Sequence, residues 1–154
     1  MRRGDFAAGK LISEVLVQDI TTDNFEQFVT DVESKFTQLG CDAEMGAAGA
    51  AVDGVVGDTG LLGALLAWHD GGVPIGEFFT LSAQEIVDNL PNCSEGFTPV
   101  MRDLNGDLML MDADSNLFVD GEGLGMKLAG FCGLFRDELV GGSYEWADGW
   151  VKKG

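Results

Sequence analysis

Residues 97–120 read FTPVMRDLNGDLMLMDADSNLFVD, and this stretch decides the fold. Upstream segments carry apolar residues at helical spacing, but here the pattern changes period. Phe97–Arg102, Asp107–Asp112 and Leu117–Asp120 are three short runs separated by Asn105-Gly106 and by Asp114-Ser115-Asn116. Asn-Gly between apolar runs is a strong short-range hairpin signal, so the stretch predicts a three-stranded antiparallel meander. Leu108-Met109-Leu110-Met111 is apolar on both faces, the pattern of a central strand covered on each side.

Helices are expected on either side of this meander. Phe25, Phe28, Val29, Val32, Phe36 and Leu39 make one apolar stripe over Asn24–Leu39, with Asp23 as expected N-cap, Glu26 three residues on and Gly40 as stop. Leu61–His69 reads as a buried helix ending at Asp70-Gly71-Gly72, and Val73–Phe79 as one short strand with Pro74 near its start. Ser82-Ala83-Gln84-Glu85 is a capping box, with Leu81 and Ile86 placed as a hydrophobic staple and Pro91 closing the helix. A last helix is expected from about Leu124 to Val140, followed by a tail holding Tyr144, Trp146 and Trp150. Residues 11–17, LISEVLV, fit helix and strand equally well. Residues 46–60, GAAGAAVDGVVGDTG, read as a loosely structured insert or a poor helix packed tightly against something, since each glycine costs a helix about 1 kcal/mol relative to alanine. The expectation is one α+β domain over residues 1–154, its core about 22–142, with an antiparallel sheet and central hairpin meander flanked by N- and C-terminal helices.

With 154 residues the chain is long enough to close a core without metals or disulfides. It carries 26 Asp plus Glu against 9 Lys plus Arg, a formal net charge of −17. Arg2, Arg3, Lys10, Lys152 and Lys153 lie at the ends. Between residues 11 and 151, 25 acids face only Lys35, Arg102, Lys127 and Arg136, a net of −21. Such a surface repels phosphate backbones and anionic lipid, so neither nucleic acid nor direct membrane insertion is expected. It suits either bulk solvation or a basic protein partner.

Little in the chain points to catalysis. His69 is the single histidine, and neighbouring residues on a helix do not face one another, so His69-Asp70 is not a dyad by spacing. Asp112-Ala113-Asp114-Ser115-Asn116 begins like a calcium loop, but Leu117 and Gly123 stand where that loop needs glycine and glutamate. No dinucleotide or phosphate-loop motif is present, and 26 acids make carboxylate pairs uninformative without geometry. No catalytic residue, metal site or cofactor is therefore expected, with a carboxylate-dependent hydrolase the third-ranked reading. Cys41, Cys93 and Cys132 are an odd count without a CxxC pair, which argues against a disulfide framework. Asp5, Lys10 and Glu14 interrupt any apolar signal segment, so a cytoplasmic protein is expected, or one working inside an organelle after loss of a targeting peptide. The expected partner-binding residues are acids at turns and strand edges (Asp70, Glu77, Asp103, Asp107, Asp120, Glu122) and the tail aromatics Tyr144, Trp146 and Trp150.

The order of these motifs resembles the SUKH superfamily, which joins fungal regulators of cell-wall synthesis with bacterial toxin-immunity proteins. Leu65 and Leu66 with His69-Asp70-Gly71-Gly72 resemble its leucine-rich helix and turn, and Leu81, Ser82, Glu85 and Ile86 its next helix start. Thr98-Pro99-Val100, Gly106-Asp107-Leu108, Leu110, Asp112 and Leu117–Val119 resemble its central strands; Ala129, Phe131, Phe135 and Leu139 its closing helix. Phe97 stands where the superfamily commonly has tryptophan, Gly130-Phe131 replaces its usual Ser-Phe, and the 46–60 insert has no counterpart in it. The resemblance implies a non-enzymatic protein-binding module, in the immunity branch one that neutralises a basic toxin. The alternative is an accessory or structural subunit of a large assembly, anchored by its tail aromatics.

Overall fold

The computed structural model describes residues 18–49 and 51–153; the ambiguous 11–17 segment lies outside them. At the centre a six-stranded antiparallel sheet runs in chain order: β1 (Pro74–Ile75), β2 (Phe78–Thr80), β3 (Thr98–Asp103), β4 (Leu108–Met111), β5 (Asn116–Val119) and β6 (Glu122–Lys127). The predicted meander is β3 to β5. Two of the expected boundaries need correction. Val73–Phe79 is not one strand but a hairpin that folds back at Gly76-Glu77, pairing Ile75 with Phe78, because Gly76 takes a φ of +62°. The last helix does not begin at Leu124. Asp120 and Gly121 have φ of +53° and +80°, a two-residue turn that sends the chain back as β6.

Two successive hairpin turns use one device. Asp103 Oδ1 accepts from the N–H of Asn105 and of Asp107, both at 2.9 Å. Asp112 Oδ1 accepts from Asp114 at 3.0 Å and Asn116 at 2.9 Å. In each turn the fourth residue has positive φ, +89° at Gly106 and +71° at Ser115, and donates its N–H to the first carbonyl. These are three-residue loops closed by a left-handed residue. Asn105-Gly106 is therefore not a two-residue turn but the last two-thirds of a longer one. The calcium-like motif is the second copy of the same turn, its carboxylate already committed to backbone.

Helix α1 (Phe25–Leu39) buries Phe28, Val32 and Phe36, and ends at Gly40, which has a φ of +76°. Asn24, not Asp23, precedes it. The Asn24 side chain faces back, accepting from Thr21 N–H at 2.7 Å and donating to the Asp19 carbonyl at 3.0 Å. Helix α2 (Thr59–Trp68) starts two residues earlier than expected, because Asp58 caps it through the Leu61 N–H at 3.0 Å. Helix α3 (Ala83–Asn89) has the full capping box: Ser82 Oγ accepts from Glu85 N–H, and Glu85 Oε1 from Ser82 N–H. Leu81 and Ile86 beside it are both buried. Pro91 does not end the chain's coil at once; Leu90–Asn92 add a tighter turn. Helix α4 (Leu128–Val140) buries Leu128, Cys132, Phe135 and Leu139. At Gly133 it passes so close to the Gln18 carbonyl that a methyl group would collide with it. The fold is α+β, a single domain with helices flanking the sheet.

Met101, Met109, Met111 and Leu117 line the sheet's buried face. Leu108 and Leu110 stay half-buried, so β4 is not covered equally on both faces as its pattern predicts. Residues 46–49 and 51–58 form no helix of their own and are held against the fold at several points, while Thr59 and Gly60 open α2. Gly46 donates to the Gly71 carbonyl, Ala47 accepts from Asp70, and Gly49 donates to Leu66. Further on, Thr98 Oγ1 accepts from Val56 N–H at 2.7 Å and donates to the Val56 carbonyl at 3.1 Å. The segment is a strap. Glycine is needed at 46 because a side chain there would strike the Asp70 carbonyl, and at 49 because its Cβ would lie 2.8 Å from the Asp70 carboxyl carbon. The tail forms a second hairpin, β7 (Tyr144–Trp146) and β8 (Trp150–Lys152).

Candidate functional site

Leu104 is the starting point. It sits inside the first Asp-anchored turn, where a polar residue would be ordinary, and is 73% exposed. A hollow opens on each side of it. One, about 370 Å³, lies among Gly76, Glu77, Phe78, Asp103, Asn105 and Trp150. The other, about 430 Å³, lies among Asp42, Glu44, Gly72, Arg102, Trp146 and Asp148. Phe79 contributes to both. Three parts of the chain distant in sequence meet here: the residues after α1, the β1–β2 hairpin with the β3–β4 turn, and the β7–β8 hairpin. Among the described residues lining the two hollows, five are acids and Arg102 is the one base; its Nε lies 3.6 Å from Glu85 Oε2.

The expected binding residues divide sharply. Glu77 and Asp103 line the first hollow and Trp146 the second, half-buried, donating its Nε1–H to Asp42 Oδ1 at 2.8 Å. Asp103, Asp107 and Asp120 are brought together at one end of the sheet. The Asp107 carboxyl is held above its ordinary range first by the Asp120 charge, then by Asp103, with slight desolvation added. Glu122 is exposed on β6 and lines neither hollow. Asp70, Tyr144 and Trp150 each have a partner within the fold. Asp70 Oδ1 accepts from Ala83 N–H at 2.8 Å, so it holds the start of α3. Tyr144 and Trp150 are each 5% exposed and belong to the core, with Trp150 also edging the first hollow. Trp150 donates Nε1–H to the Pro74 carbonyl at 3.0 Å, and Tyr144 donates its hydroxyl to Glu138 Oε1 at 3.2 Å. Burial first, then the Glu138 charge and hydrogen bond and the Glu77 charge, push the Tyr144 hydroxyl far upward.

Sequence reasoning missed Leu104, Phe79, Asp42, Glu44 and Asp148. Leu104 carried a readable signal, an apolar residue at a turn tip. The acids did not, since only the tertiary approach of the segments around 42 and 148 to the sheet makes them neighbours.

The groups with chemical potential elsewhere have backbone partners or burial. His69 Nδ1 is 2.8 Å from the Gly46 carbonyl; that oxygen only accepts, so Nδ1 carries the proton. Cys132 is fully buried and its thiol is pushed up to about 12, by desolvation first and the Asp58 charge second. Burial raises the Cys41 and Cys93 thiols as well. Among the described residues no cluster of three His, Cys, Asp or Glu is placed to hold a metal ion, and no helix is long and apolar enough to cross a membrane. The chain matches no family model, no curated protein and no solved structure.

Proposed function

We propose that this chain is a non-catalytic protein-binding domain whose partner is a basic protein, acting in the manner of an immunity protein that masks a cationic toxin surface. The carrying observation is that the β3–β4 and β5–β6 turns set Asp103, Asp107 and Asp120 at one end of the sheet, where their mutual repulsion raises the Asp107 carboxyl. Carboxylates in that arrangement lower one another's stability, and a cationic surface relieves the repulsion on binding. The resemblance to the SUKH superfamily supports the same reading, and the three free cysteines fit a reducing compartment such as the cytoplasm. The accessory-subunit alternative drew on Tyr144, Trp146 and Trp150 as tail anchors, and two of those three lie in the core.

The test is capture on the immobilised chain from an extract of its source, read by mass spectrometry across a salt gradient. One small protein of high pI, released as salt rises toward about 0.5 M where charge attraction is screened within a few ångströms, is the expected result. Recovery only of a multi-subunit assembly, or of nothing basic, overturns the proposal.

A further inference from the structure

The face around Leu104 carries a more specific inference, which rests on the basic-partner reading. A lone exposed leucine is ordinary on a protein surface. This one stands between two hollows with Phe78 and Phe79 in their lining and Trp146 on the far side. Glu77 and Asp103 rim one hollow; Asp42, Glu44 and Asp148 rim the other. Another hollow, about 590 Å³ between α1 and α2, is lined by Phe25, Val29, Ala64, Ala67 and Trp68 with Glu26 its one acid, and nothing there selects an occupant. We propose that the Leu104 face is the docking surface, and that its occupant is an arginine-rich segment of the partner carrying one apolar side chain among its arginines.

Each element of that occupant answers a feature of the face. The apolar side chain packs against Leu104, which is otherwise left in water. Guanidinium groups enter the hollows, where five carboxylates against Arg102, itself 3.6 Å from Glu85, accept their N–H donors and the rings of Trp146 and Phe79 attract the planar cation. Arginine suits this better than lysine, since its charge is delocalised and less tightly hydrated. The acids at the rim speed and orient encounter, while the central apolar contact sets how long the complex lasts. The partner's chemistry is therefore both cationic and locally apolar.

The probe is a short arginine–glycine peptide with a single central leucine, titrated calorimetrically and by tryptophan fluorescence against the full chain. Binding to the wild-type chain is expected to weaken about tenfold when the peptide leucine becomes serine, and about tenfold in Leu104→Ser. Combining the two changes should cost little more than either alone, because they remove one shared contact. Leu104 is exposed, so its replacement spares the core; Glu44→Lys, which reverses one rim charge, should weaken binding independently. Ala67→Ser, in the groove between the helices, should leave affinity unchanged. No binding by the wild type, equal affinity for Leu104→Ser, or indifference to the peptide leucine overturns the docking face. A basic protein captured from extract equally by wild type and Leu104→Ser would also sink the face while leaving the basic-partner reading standing. Failure of the wild type to capture any basic protein sinks that reading instead.

Discussion

Asp107 and Asp112 lie five positions apart and are shifted in opposite directions. Burial alone would raise Asp112, but hydrogen bonds from Asn116 and Asp114 and the Lys127 charge outweigh it and hold the carboxyl below its ordinary value. Asp107 has no such donors to its carboxylate among the described residues and is raised by Asp120 and Asp103. The consequences for stability differ in sign. Asp112 stabilises the fold above its ordinary value of 3.8, and that contribution fades as pH falls through its lower folded pKa. Asp107 holds its proton more tightly when folded, so ionising it costs stability as pH rises from 3.8 to its raised folded value. In Asp120→Asn, Asp107 should titrate closer to 3.8 while Asp112 stays put, measured by carbon NMR of the side-chain carboxyls. An unchanged Asp107 titration would refute the assignment to crowding.

The turns show what one element demands of one residue. The two Asp-anchored loops share the same closing hydrogen bonds to the aspartate carboxylate and carbonyl, yet the left-handed position is glycine in the first and Ser115 in the second. A non-glycine residue there costs about 1 kcal/mol, so Ser115→Gly should stabilise the protein by roughly 0.5 kcal/mol after the added freedom of the unfolded chain is counted. Thermal or urea unfolding will decide this; a loss of stability would mean the serine side chain has a compensating role. Elements with local signals were legible: the α1 stripe, the Ser82 box and the central meander need only neighbours in sequence. Strand β6 was missed although Asp120-Gly121 announces a turn, because the apolar residues Leu124, Leu128, Phe131 and Phe135 imposed a helical spacing that begins too early. The strap was half legible, its tight packing open in the sequence but its path and partners not. Gly46 and Gly49 mark close approach to Asp70, more than twenty positions away, while Gly54 and Gly57 take left-handed φ of +81° and +92°. The candidate site was half legible on the same grounds, with Glu77, Asp103 and Trp146 found and their neighbours from distant segments not.

At the scale of the molecule, the sheet and its surroundings are built from contacts of very different reach. All six strands lie in chain order, each joined to the last by a nearby turn or, between β2 and β3, by α3. Closing contacts span far more: Trp150 to Pro74 is 76 residues apart in sequence and Trp146 to Asp42 is 104. Loop closure over such distances is entropically slow to repay, so the meander is the natural nucleus and the tail hairpin the last part to dock. Trp150→Phe keeps an aromatic ring but loses the bond to Pro74. It should therefore speed unfolding at least about fivefold while leaving the refolding rate nearly unchanged, read from the two limbs of a denaturant chevron. A slowed refolding limb would place the tail in the nucleus instead. The docking surface around Leu104 needs both the early meander and the late tail, since Asp103 comes from one and Trp146 and Asp148 from the other. A chain still emerging from the ribosome thus displays the acids of the meander before the second hollow exists, and the proposed face is completed only once the β7–β8 hairpin has emerged and docked.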